Sequence, residues 1–161
     1  MSLEFRTLDY GDIAEVRAYL ELLYGMSVEG DDYRFEKSRE FIDRAVLKAR
    51  REEDESNTFA GVALERATGS QKRAASIVGL HLLRRFEEGP LIGAHVAGLW
   101  VAEHRRRQGV ARHLKAMGER WARGVGAAFL NSNVLVNNER MLKLNHELGF
   151  VDYRINLRKR L

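Results

Sequence analysis

Val101-Ala102-Glu103-His104-Arg105-Arg106-Arg107-Gln108-Gly109-Val110-Ala111-Arg112 joins two kinds of periodicity. Before it, Ala94 to Val101 is an apolar run of strand length. After it, Val110, Leu114, Met117 and Trp121 recur at the spacing of one helix face. Between them lie a basic loop and Gly109. A strand feeding a glycine turn at a helix N-terminus presents backbone N–H groups that have no partner within the helix, and the helix dipole favours negative charge there. Arg105, Arg106, Arg107 and Arg112 add positive charge to the same turn. The stretch predicts a phosphate site.

Upstream, Leu3 and Phe5 alternate with Glu4 and Arg6, which predicts a first strand. Asp12 with Glu15 resembles a capping box ahead of a helix carrying Ile13, Val16, Leu20 and Leu23, with Gly25 as its stop. Glu29 to Arg34 is polar and predicts a loop. Phe41, Ile42, Ala45, Val46 and Ala49 give a second helix, followed by a charged, solvated stretch from Arg50 to Ser56. Thr58–Leu64 and Ile77–Phe86 read as strands joined by a hairpin loop at Ala67–Arg73, and Gly89-Pro90 turns the chain into the next strand. Downstream, Gly124 and Gly126 end the helix, and Phe129–Val136 reads as a strand. Asn137-Asn138 caps a helix with Met141, Leu144 and Leu148, stopped by Gly149. Tyr153, Ile155 and Leu157 alternate with Arg154, Asn156 and Arg158, a final strand with one wet face. The order β-α-α-β-β-β-α-β-α-β predicts an α/β (α+β) mixed, mostly antiparallel sheet flanked by helices, as one domain over residues 1–161.

The 161 residues, 45% hydrophobic and 31% charged, describe a soluble globular chain. The absence of cysteine excludes disulfides, thiolate catalysis and cysteine-ligated zinc, and agrees with a cytoplasmic location; no metal is expected. No signal-peptide core or membrane-length apolar run is present. A net charge of +4 suits an anionic partner: nucleic acid, an anionic cofactor, or none.

Arg106-Arg107-Gln108-Gly109-Val110-Ala111 fits the pattern Gln/Arg-x-x-Gly-x-Gly/Ala, and Asn138 precedes an apolar helix ending in Gly149-Phe150. In this order and on these elements, the chain resembles the GNAT superfamily of N-acetyltransferases. The motifs lie within residues 94–150; the topology resembles the family over nearly the whole chain. The resemblance implies the GNAT-like acyl-CoA N-acyltransferase fold and acetyl-CoA as cofactor. It places the pyrophosphate on the amides from Arg107 through Gln108, Gly109, Val110 and Ala111 to Arg112, with Arg106 opening the motif. It pairs the pantetheine arm with Leu99, Trp100 and Val101, and sets Asn138 beside that arm.

Acetyl transfer from a thioester to an amine needs the amine neutral, although a lysine-like amine has a pKa of about 10.4. A base or water chain must therefore take a proton. His95, on the fourth strand, is the first candidate, and it reads equally as a packed strand histidine. His81 is a weaker candidate, and Glu103 is a relay or a solvated carboxylate. Many family members place a tyrosine acid four residues before the Gly of Gly-Phe. Here Asn145 stands there, and Asn133 stands where some members carry a glutamate. Asn145 can hydrogen-bond but not supply a titratable proton. The neighbouring His146 lies on another helix face, and Tyr153 can substitute only if the last strand reaches the site. Direct attack within a ternary complex follows. Asn131, Ser132 and Asn133 interrupt an apolar strand, which suggests either a cleft lining or a bulge.

The acceptor side is the Gly25–Arg34 connection. Its Glu29, Asp31, Asp32 and Tyr33 suit a cationic primary amine, or simply a solvated loop. Two other function classes remain. One is a catalytically degenerate acyl-CoA sensor, consistent with the missing tyrosine. The other is a basic nucleic-acid module, favoured only by charge in the tail Arg154, Arg158, Lys159 and Arg160. No nucleic-acid motif is present, no membrane partner is expected, and a homodimer is left open.

Overall fold

Alternating apolar residues generate a sheet whose two faces are buried by different helices. The computed structural model of the chain describes residues 2–26, 39–51, 56–66, 75–155, 157 and 159. Strands β1 (Ser2–Thr7), β2 (Thr58–Arg66), β3 (Ser76–Glu88), β4 (Leu91–Val101) and β5 (Phe129–Ser132) form a five-stranded sheet in that order. Neighbours from β1 to β4 are antiparallel, whereas β4 and β5 are parallel. The parallel pair follows from the helical crossover α3 (Val110–Gly124) that joins them. The remaining helices are α1 (Ile13–Met26), α2 (Arg39–Arg51) and α4 (Glu139–Glu147).

Asp12 Oδ1 accepts the amides of Ala14 and Glu15 and so starts α1. Glu15 does not complete a box at Asp12; its carboxylate takes the Asp9 amide and Arg6 instead. The face of α1 and α2 carrying Val16, Leu20, Ile42 and Val46 buries against Val62, Leu64 and Leu80. On the opposite face, α3 buries Val110 and Leu114 on Ala63 and Val78, and Ala122 on Phe59, Leu83 and Ala94. This helix lies unusually close to the sheet. A Cβ at Gly79 would stand 2.9 Å from Val110 Cγ1, and one at Gly118 only 2.3 Å from Leu83 Cδ1.

The register between β3 and β4 shifts at Leu82 and Leu83, which oppose Gly98 and Val96 and leave Ala97 as a bulge. The bulge reverses the alternation along β4. Gly98 faces α1, where a Cβ would meet Leu23 Cδ1 at 2.6 Å, while Val96 stays on the α3 side.

Two expected strands need correction. The fifth ends at Ser132 rather than Val136, because the Asn131-Ser132-Asn133 run carries polar groups that a strand interior does not satisfy. Residues 151–155 form no strand. The side chains of Val151, Tyr153, Ile155 and Leu157 are exposed, so the alternation has no apolar surface to bury on. The segment is tethered through Arg154 to Glu88 and Asp152 to His146, at 3.0 Å each. The acceptor-loop residues Glu29, Asp31, Asp32 and Tyr33 lie outside the described residues, as do the hairpin loop Ala67–Arg73 and the tail residues Asn156, Arg158 and Arg160.

Candidate functional site

Gly109 is the N-cap of α3 at φ 82°, a left-handed conformation that glycine adopts without strain. Among the described residues, nothing lies within 4 Å of where its Cβ would stand, and no side chain caps the helix. The first helical amide with a partner is that of His113, donating to the Gly109 carbonyl at 3.0 Å. The amides of Val110, Ala111 and Arg112 have no protein acceptor among the described residues. Arg107 also holds a left-handed φ of 61°, uncommon without a glycine and frequent at ligand sites. Its guanidinium makes no hydrogen bond or ion pair among the described residues.

The neighbouring basic side chains are engaged by the protein. Arg105 and His104 both pair with Glu65 at the end of β2, and Arg112 pairs with Glu147 of α4. Arg106 Nε donates to the Val101 carbonyl at 3.0 Å. Gln108 braces the loop, donating to the His104 carbonyl at 2.7 Å and accepting from Arg105 at 3.1 Å. Arg107 and three amides thus face outward from a loop that the other side chains stiffen.

Below this loop the sheet splits. The β4–β5 ladder runs only from Gly93 with Phe129 to Val96 with Ser132. From Ala97 to Val101, about 17 Å at strand rise, β4 has no strand on that side among the described residues. A wedge therefore opens from the Val96–Ser132 rung toward the tip of α3. Leu99 and Val101 pack on the α3 side and Trp100 on the α1–α2 side, so the backbone of these residues lines the wedge. Asn138 caps α4, its Oδ1 accepting the Met141 amide at 3.2 Å, which commits its oxygen and leaves its amide nitrogen.

Polar groups gather at the closed end. His95 and Asn131 are cross-strand neighbours one rung before Val96 and Ser132. Burial and then the nearby Arg84 charge push the His95 pKa below that of a free histidine. On the α3–α4 face, Asn145 is buried and donates to Ser132 Oγ at 3.5 Å. Its Oδ1 is buried with no hydrogen-bond partner among the described residues. His81 is 1% exposed, donates from Nδ1 to the Gly98 carbonyl at 3.0 Å and lies edge-on to Phe59. Burial takes its pKa to about 4, so it is a packed neutral histidine rather than a base for the wedge. Glu103 is exposed in the 3-10 turn Glu103–Arg105, and Tyr153 is exposed at the rim.

The structure thus brings His95, Asn131, Ser132 and Asn145 to the end of the wedge, and the motif residues Arg106–Arg112 to its mouth. It adds one group absent from the sequence reading: Lys115, only 6% exposed, beside His81. Its signal was the stripe Ala111, Lys115, Gly118, Ala122, a second buried face of α3 with a lysine in it. Among the described residues, no group of three His, Asp or Glu side chains is placed to hold a metal ion.

The family model described as the acetyltransferase (GNAT) family matches residues 23–150. An aminoglycoside acetyltransferase from an uncultured soil metagenomic sample superimposes with a TM-score of 0.72 at 20% identity, over 100% of this chain and 99% of that one. Glucosamine-6-phosphate N-acetyltransferase from Arabidopsis thaliana does so with a TM-score of 0.71 at 15% identity, over 99% of each chain. AAC(6')-Iy, solved with a bisubstrate analog CoA-S-monomethyl-acetylneamine, gives 0.67 at 17% identity over 100% of each chain. At these identities the likeness is one of fold. A sequence search of curated proteins finds no match.

Proposed function

Because the chain belongs to the acetyltransferase (GNAT) family, we propose that it transfers an acetyl group from acetyl-CoA to a primary amine of a small molecule or peptide. One observation carries the reading: the uncapped tip of α3, with Gly109 open above it, stands at the mouth of the β4–β5 wedge. The residues fit the donor. Unpaired amides and Arg107 suit a diphosphate. The free edge of β4 from Ala97 to Val101 suits an amide-bearing arm, and the orphaned Asn145 Oδ1 offers an acceptor at the far end.

When bound, the coenzyme supplies an activated thioester. The protein's part is to hold an amine against it and remove a proton. His95, kept largely neutral at neutral pH by its depressed pKa, accepts that proton directly or through water. Asn145 stands where a tyrosine acid would be. A thiol with a pKa of about 8.5 leaves tolerably without one, so attack is direct, in a ternary complex. The chain's lack of cysteine and of any described helix long and apolar enough to cross a membrane fits a cytoplasmic enzyme. A cationic acceptor suits the acidic residues between α1 and α2, and the reading includes a homodimer.

Calorimetric titration with CoA tests the donor site. Wild type should bind, and Gly109→Asp should bind about tenfold more weakly or worse, because aspartate tolerates the backbone angle but sets a charge against the phosphates. Equal affinity in the variant would remove the loop from the site. Thiol release across a panel of amines then separates enzyme from sensor: binding without release for any amine favours the sensor, which the missing tyrosine acid suggests.

A further inference from the structure

A partly open cavity of about 50 Å³ lies on the α3 side of the sheet, lined by His81, Leu83, Val96, Lys115, Leu130 and Phe150, with Glu119 at its edge. One water needs about 10–15 Å³ by such a measure, so the space admits a group of a few heavy atoms. Its position is specific. Val96 belongs to the last β4–β5 rung, and Leu130 faces the same side two residues before that rung's Ser132. The cavity therefore lies against the α3 side of the wedge's closed end.

The charge inside it is unbalanced. Lys115 makes no hydrogen bond or ion pair with any described residue; its ammonium sits 4.8 Å from the Phe150 ring centroid. Glu119, one turn further along α3, is held by Arg123 at 2.6 Å. His81 is neutral and committed to the Gly98 carbonyl. Burial lowers the Lys115 pKa to about 8, which still leaves it mostly protonated at neutral pH. A buried cation without a counter-charge is costly unless a ligand supplies one.

We propose that the acyl group of the donor passes the Val96–Ser132 rung into this cavity and ends in a carboxylate paired with Lys115. The preferred donor is then a CoA thioester of a short dicarboxylic acid rather than acetyl-CoA. The inference rests on the coenzyme site described above and changes only what the thioester carries. The amide bond formed, the C–S bond broken and the thiol released are the same for any acyl group. A saturated acyl chain without charge leaves Lys115 unpaired, and that difference in affinity selects the donor.

The test is titration of the full chain with CoA, acetyl-CoA, malonyl-CoA and succinyl-CoA. At least one of the two acidic thioesters should bind about tenfold more tightly than acetyl-CoA. Lys115→Met keeps the side chain's length without its charge; it should bind CoA as wild type does and show no preference. Acetyl-CoA binding as tightly as both acidic esters overturns the inference, as does a preference that survives in Lys115→Met. The wild-type comparison decides alone if the variant does not fold. Failure of CoA and all three thioesters to bind overturns the coenzyme reading itself.

Discussion

His95 and His81 carry the same ring into opposite surroundings. Both sit on the inner strands, but His81 points under Gly118, where α3 leaves no room, and His95 points to the other face beside Asn131. The strand positions of both were legible in sequence. Which face each took was not, because the bulge at Ala97 and the packing of α3 on β3 decide it, and both are non-local. Lys115 was missed for the related reason that the Val110–Trp121 stripe absorbed the apparent amphipathicity of its helix. The base assignment has a clear kinetic signature. His95 has a depressed pKa, so its neutral form persists to lower pH than a free histidine's, and the acid limb of kcat/KM should lie below about 6.5. His95→Ala should lower the rate by about 100-fold near neutral pH and remove that limb. A pH–rate profile of unchanged shape would exclude His95.

At the scale of elements, the strand–loop–helix junction from Ala94 to Trp121 was readable because it is built from local signals: an apolar run, a glycine at positive φ and a helical stripe. The distal strands were over-read. Alternation requires a neighbour to become a strand, and the sequence of Tyr153 to Leu157 does not say whether β5 will accept one. The mating of α3 with β3 depends on Gly118. Alanine there gains up to about 1 kcal/mol in helix propensity but places its Cβ 2.3 Å from Leu83 Cδ1 and 3.0 Å from His81 Nε2. Leu83 is fully buried, so it has little room to yield. Gly118→Ala should lose about 1–2 kcal/mol net, read as a Tm lower by about 2–6 °C. An unchanged or raised Tm would show that α3 can ride further out.

For the molecule as a whole, the apolar surface is unevenly spread. Val136, Val151, Ile155 and Leu157 are 80–92% exposed, and β5 ends the sheet with one edge unpaired among the described residues. Exposed apolar residues at an open edge favour pairing between copies. Sedimentation should therefore show a reversible dimer whose population grows with concentration, and Ile155→Lys with Leu157→Lys should shift it toward monomer. A chain that stays monomeric at every concentration refutes the homodimer. The net charge of +4 also reads differently in three dimensions. Glu65 and Glu147 have already claimed Arg105 and Arg112. A polyanion strung along this surface would find those two side chains already paired. A compact anion seated on the helix tip draws instead on fixed backbone dipoles, which added salt screens far less than it does a field of lysines and arginines.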